Sequence, residues 1–129
     1  MDTLDVIKKL RLTDSQHVLI INAPQEYQEI IKIVNPDLKG DKENSYDFIQ
    51  IFATTQLELE ALLLENAKHG KYDCLFWACY PKAGKLKSNI KRDSVWKAME
   101  LIKLRPVTQI SIDDVWSALR GRPAEKVGK

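Results

Sequence analysis

The chain has 129 residues, 44% of them hydrophobic and 29% charged, which is the length and balance of one globular domain with a real core and excludes a disordered polypeptide. No apolar run approaches the ~20 residues of a membrane helix, and Met1-Asp2-Thr3-Leu4-Asp5 lacks the basic start and apolar stretch of a secretory signal, so a cytoplasmic location with no membrane partner is expected. The net charge of +2 hides an asymmetry: residues 1–81 carry 8 Lys/Arg against 13 Asp/Glu, whereas residues 82–129 carry 12 against 5, which favours an anionic partner for the C-terminal third.

In chain order, residues Leu4 to Leu12 read as a short helix with Leu4, Ile7 and Leu10 or Leu12 inward, followed by a polar turn at 13–16. His17-Val18-Leu19-Ile20-Ile21-Asn22 is an apolar, β-branched run and reads as a strand buried on both faces. Ala23-Pro24 opens a helix with Tyr27, Ile30, Ile31 and Val34 on one face, which Asn35-Pro36 stops. A polar loop leads to a second strand at about Tyr46 to Thr54. Thr55-Gln56-Leu57-Glu58 is a capping-box pattern for a helix whose apolar stripe reads Leu57, Ala61 and Leu64, with Gly70 as its stop. Cys74 to Tyr80 is a third, wholly apolar strand that Pro81 ends. A basic loop, Lys82 to Asn89, precedes a helix with Val95, Ala98, Met99 and Ile102 inward. Val107 to Ile112 alternates polar and apolar residues, as an edge strand does. Asp113 or Asp114 then caps a short helix through Val115, Trp116 and Leu119, and residues 121–129 read as a disordered basic tail.

The alternation of strands and helices predicts one α/β domain over residues 1–120. It is a three-layer Rossmann-like or flavodoxin-like sandwich with a mainly parallel four-stranded sheet. The two most apolar strands belong in the middle, which with right-handed crossovers gives the order 2-1-3-4. Cys74 and Cys79 lie five apart in one strand and point to opposite faces. They are expected as two buried free thiols, and C-x4-C is not a metal motif.

Ligands of open α/β sheets bind outside the carboxyl ends of the strands where the order reverses. That rule directs attention to Asn22, to Lys82 and to Asp113 with Trp116. Lys82 either holds a phosphate or carboxylate or pairs with Asp113 or Asp114. Lys85, Lys87, Lys91 and Arg92 extend the positive field, with Gly84 between Lys82 and Lys85 allowing close approach of backbone. Asn22 either orients a ligand or caps the first helix. Trp77 and Trp96 read as core packing, and Trp116 as the aromatic contact of the crevice. Arg120 and Arg122 can grip an anion or a partner's carboxylate.

Several chemistries are excluded. His17 and His69 fall at the edge opposite Lys82, which argues against a Ser-His-Asp or Cys-His arrangement there. No clustered His/Cys set suggests a metal. The first strand–helix turn has no glycine, so a G-x-G-x-x-G cradle is absent, there is no phosphate-binding loop motif, and no cofactor is expected.

The segments Val18-Leu19-Ile20-Ile21-Asn22-Ala23-Pro24, Trp77-Ala78-Cys79-Tyr80-Pro81-Lys82, Lys87-Ser88-Asn89-Ile90-Lys91-Arg92-Asp93-Ser94-Val95-Trp96 and Asp113-Asp114-Val115-Trp116-Ser117-Ala118-Leu119-Arg120 resemble a family of small bacterial proteins of unknown function, over nearly the full length. The resemblance implies no reaction. It directs attention to Asn22, Lys82, Ser88, Arg92, Asp113, Trp116 and Arg120. The start of the chain, a short helix leading into a buried strand, also looks like a cofactor-binding methyltransferase.

The residues therefore read as a small binding or interaction module with an anion-receptive crevice, whose partner is an anionic small molecule or another protein. One alternative is an enzyme using Asp113 or Asp114 with Lys82 on a phosphorylated or carboxylated small molecule. Another is nucleic-acid binding through residues 82–92, which the low net charge disfavours. An unprotected fourth strand would permit a homodimer.

Overall fold

The computed structural model describes residues 2–127. Helix α1 (Thr3–Leu10) starts where the Asp2 carboxylate accepts from the amide of Asp5 at 3.1 Å, and ends where Arg11 turns left-handed. Strand β1 (Val18–Ile21) follows, then a single 3-10 turn (Gln25–Tyr27) that runs into α2 (Gln28–Val34). Next come β2 (Tyr46–Phe52), α3 (Gln56–Asn66), β3 (Gly70–Pro81) and α4 (Arg92–Glu100). The chain closes with the hairpin β4 (Leu104–Ser111) and β5 (Trp116–Pro123), and a last 3-10 turn at Ala124–Lys126. None of the described helices is long and apolar enough to cross a membrane.

The sheet has five strands in the order β1-β2-β3-β5-β4, with β1, β2 and β3 parallel and β5 antiparallel to both of its neighbours. This corrects the expected four-stranded order 2-1-3-4. The segment expected as a capped helix and the start of the expected tail is β5, inserted between β3 and β4. Asp113 is the reason: its Oδ1 accepts from the amides of both Val115 and Trp116 at 2.8 Å, which makes a tight turn instead of a helix cap. Residues 121–126 belong to β5 and the final turn, while 128 and 129 lie outside the described residues. The edge position of the fourth strand is as expected.

The chain also reverses direction at β1 rather than between the first and third strands. After α2 it pairs briefly with the outer side of β1, where Asp37 donates to Val18 O at 2.9 Å and accepts from Ile20 N at 3.0 Å. It then returns to lay β2 on the inner side. Hence β2, expected at an edge, lies inside the sheet, and its Gln50 is fully buried. Gln50 accepts from Tyr27 Oη at 2.9 Å and lies 3.3 Å from Cys79 Sγ.

Two apolar layers flank the sheet. Trp77, Phe48, Phe52, Ile20 and Trp116 pack with α1 and α2 on one face; Ile49, Ile51, Phe76, Ala78 and Leu119 pack with α3 and α4 on the other. Helix α3 presents the opposite side from the one its Leu57-Ala61-Leu64 stripe implied. Leu59, Leu63 and Asn66 are buried, while Leu57 is 80% exposed and Leu64 56%. The leucines of α3 are spread around its circumference, interleaved with Glu58, Glu60 and Glu65, so its pattern cannot say which of them face inward. Trp96, expected in the core, is 43% exposed and carries Arg92 at 5.9 Å from its ring.

The inverted stripe makes a direct test. Leu59→Ala is expected to cost about 2–5 kcal/mol of unfolding free energy and Leu57→Ala less than about 0.5 kcal/mol, read by urea denaturation. Equal costs would contradict the observed orientation of α3.

Candidate functional site

The carboxyl ends of β1, β2 and β3 and the β4–β5 turn all meet at one edge. The loop after β3 is pinned there by its first residue, because Lys82 N donates to Val115 O at 2.7 Å. Turns closed by Lys85 N to Lys82 O and Ser88 N to Lys85 O then fold the loop over the sheet. Gly84, Leu86 and Lys87 have positive φ, and two consecutive non-glycine residues in that region carry backbone strain. The far side is closed by the start of α4, where Lys91 N donates to Ser94 Oγ at 2.9 Å and the Ser94 hydroxyl donates to Lys91 O at 2.8 Å.

Between loop, helix and sheet lies a cavity of about 380 Å³ lined by Lys82, Ser88, Lys91 and Arg92 over a floor that includes Tyr80 and Ser117. The Lys82 ammonium donates to Ser111 Oγ at 2.7 Å. Among the described residues no carboxylate lies within ion-pair distance of Lys82, Lys85, Lys87, Lys91 or Arg92. The expected pair of Lys82 with Asp113 or Asp114 is not formed, since Asp113 is committed to the turn. The cavity therefore carries uncompensated positive charge.

The structure brings Lys82, Ser88, Lys91 and Arg92 together with Ser117, and adds Gln109, which the sequence reading missed. Gln109 and Ser117 face the cavity because they sit on β4 and β5, and no local signal marks Gln109. Lys85 lies in the loop but not in the cavity lining. Trp116 is buried under the opposite face, edge-on to Phe52 at 5.2 Å, with its indole N–H donating to Glu26 at 3.3 Å; it is core and not a crevice contact. Arg120 sits on β5 opposite Trp77, away from this edge. Asn22 lies at the end of β1 in left-handed backbone, and its amide donates to Phe52 O at 2.8 Å. Asn22 thereby ties β1 to β2 across the point where strand order reverses.

The histidines sit at the amino edge. His17 Nδ1 is 2.9 Å from Ser45 O and 3.1 Å from Ser45 Oγ, and Nε2 is 3.3 Å from Asp37, whose carboxylate also accepts from Tyr46. The nearer carbonyl takes the Nδ1 proton, so that nitrogen is not a base for Ser45. The hydrogen bond from Tyr46 holds the Asp37 carboxyl below its usual range. This cluster fastens β1, β2 and the Asp37 bridge to one another.

No protein-family model matches the chain, and no curated protein sequence does. Solved structures do. A SAM dependent methyltransferase from Aquifex aeolicus superposes with a TM-score of 0.59 at 14% identity, over 93% of this chain and 88% of that one. Magnesium protoporphyrin IX methyltransferase from Synechocystis, solved with bound SAH, gives 0.61 at 9% identity over 93% and 82%. A possible histamine N-methyltransferase from Thermotoga maritima gives 0.56 at 10% identity over 93% and 88%. The chain thus has an α/β Rossmann-like fold of the methyltransferase type, with a five-stranded mixed sheet.

The residues present do not fit a nucleoside cofactor at the strand-reversal point. The turn after β1 is Asn22-Ala23-Pro24-Gln25, with no glycine to admit a ligand against backbone. Asn22 fills the gap toward β2, Pro24 offers no amide, and the first helical turn is a 3-10 turn. The cysteines do not supply a nucleophile either. Burial pushes both the Cys74 and Cys79 thiols up to about 12, which keeps them protonated.

Native protein at pH 8 is accordingly expected to show almost no reaction of either thiol with Ellman's reagent, and full reaction of both after unfolding in guanidinium. Rapid native labelling of Cys79 would refute this burial.

Proposed function

We propose that this chain is a small anion-binding module on a methyltransferase-type scaffold, with its ligand in the cavity under the β3–α4 loop. The observation that carries the reading is the Lys82 ammonium, held at the cavity wall with a serine and no carboxylate as its partner. A group of cations with no carboxylate among them draws an anion into the cavity they line. Lys91 and Arg92 sit at the N-terminus of α4, where the helix dipole also favours negative charge. The cavity suits a small phosphorylated or carboxylated molecule.

Mechanistically, the cavity binds and orients. Lys82 supplies a point charge fixed by Ser111, Arg92 supplies a planar fork of donors, and the strained loop carrying Gly84 can close on the ligand. Asp113, engaged by two amides, holds the turn that presents Val115 O to Lys82 N. Its role is to position this loop.

A second reading is an enzyme of the methyltransferase type, favoured by the fold alone. The closed turn at Asn22 weighs against it.

The test is a thermal-shift screen against phosphate, nucleotides, acyl-carrier cofactors and common carboxylates. A ligand at about 100 times its dissociation constant adds about 2.7 kcal/mol of stability. Lys82→Ala is expected to weaken binding about 10- to 100-fold while costing at most about 1 kcal/mol of folding stability, since its bond to Ser111 is exposed. If no ligand in the screen responds to Lys82→Ala, the reading fails. In parallel, calorimetry is expected to show no saturable binding of S-adenosylmethionine; micromolar binding would favour the enzyme instead.

A further inference from the structure

The face of the β4–β5 hairpin turned toward α1 carries a second, separate concentration of charge. Arg120 and Arg122 are two apart on β5 and so share one face. Arg105 lies directly opposite Arg122, and Thr108 opposite Arg120; both β4 residues are exposed, so this part of the sheet face is open to solvent. On its other side Arg120 neighbours Trp77, whose indole N–H donates to Leu10 O at 3.2 Å. That bond brings Arg11, the left-handed cap of α1, to the same place.

Arg11 and Arg122 thus both bear on the Arg120 guanidinium, and Arg105 lies across from Arg122 on the same face. Asp73 is fully engaged by Arg122, through bonds of 3.0 and 2.6 Å. Among the described residues no carboxylate lies within ion-pair distance of Arg11, Arg105 or Arg120. The Nε of Arg120 is buried and has no acceptor at all. Burial, then the charges of Arg11 and Arg122, push the Arg120 guanidinium below its usual range. A buried orphan donor and crowded like charges both cost stability, and both are relieved by the same thing, an anion with several acceptor oxygens.

We propose that this face is a second anion site that takes a phosphoryl group, gripped by the fork of Arg120 with Arg11 and Arg105 around it. A tetrahedral phosphoryl group offers a separate oxygen to each of several guanidinium groups, whereas a carboxylate has only two. The site is distinct from the Lys82 cavity. It lies on the opposite face of the sheet, and Trp77 and Pro81 are roughly 13 Å apart along β3 at ~3.3 Å per residue.

The experiment uses the full chain carrying Lys82→Ala, so that the cavity is out of play. Pyrophosphate and a short oligothymidylate are titrated by calorimetry at low salt, with Arg120→Lys, Arg120→Met and Arg11→Gln added in turn. Pyrophosphate is expected to bind the Lys82→Ala protein saturably. Binding should weaken about tenfold or more in Arg120→Lys, which keeps the charge but loses the fork, and likewise in Arg11→Gln. Binding of pyrophosphate alone assigns a free phosphate ester, and parallel loss of oligothymidylate assigns a polymer backbone; either outcome supports the site. Arg11 is exposed, so Arg11→Gln remains informative if Arg120→Met does not fold. The proposal is overturned if neither probe binds, or if Arg11→Gln and Arg120→Lys bind pyrophosphate as well as their parent does.

Discussion

Strand β5 lies between two strands to which it runs antiparallel, and at Gly121 its α4 side leaves little room for a side chain. A Cβ on Gly121 would come within 3.0 Å of Met99 Sδ and 3.2 Å of Leu104 Cβ. Ser117, buried, lies on the same face of the strand, and Ala118, also buried, on the other. Because the strand fits, Asp113 can turn the chain tightly and Val115 O can reach Lys82 N. The loop after β3 then folds over the sheet, and the cavity forms beneath it. The same insertion displays Arg120 and Arg122 on the other face. Both concentrations of unpaired cation therefore depend on one packing constraint in the last quarter of the chain.

At the opposite side of the sheet a different economy holds. In a doubly wound sheet the reversal point leaves a crevice, and here Asn22 occupies it. Left-handed backbone is tolerated by asparagine, and its amide finds the orphan carbonyl of Phe52. The outward excursion of the chain shrinks to a single bridge at Asp37, held by Tyr46 and His17. The scaffold is shared with methyltransferases of known structure, but the residues at its reversal point are arranged to join strands. A fold positions a site without deciding its chemistry.

The interior explains why the central strands tolerate polar groups. Gln50 is wholly buried, yet its amide meets Tyr27 on one side and Cys79 on the other, so desolvation is offset by hydrogen bonding. Burial, the largest influence, raises the Tyr27 phenol far above its usual range and keeps it a donor. These contacts tie the turn after β1 to β2 and β3 and hold the carboxyl edge rigid.

The α/β class, the three parallel strands, the start of α1, the Thr55 cap and the basic loop that carries Lys82 and Ser88 were all legible in the sequence. Each rests on local chemistry: an apolar run, a capping side chain, a proline, a cluster of lysines. Asp113 was legible as a capping residue, but the same acceptor geometry serves a helix start and a tight turn, and only the vacancy beside β3 selects the turn. Leu57 and Leu59 are alike as residues, and packing of α3 against the sheet decides which is buried. Gln109 and Arg105 acquire meaning only from cross-strand register, a relation between segments far apart in the chain. By itself the sequence determined which segments are strands or helices wherever periodicity was unambiguous. Strand order, the face each element presents and the grouping of cations were decided by the tertiary structure, because they depend on which surfaces close against one another without voids or unpaired groups.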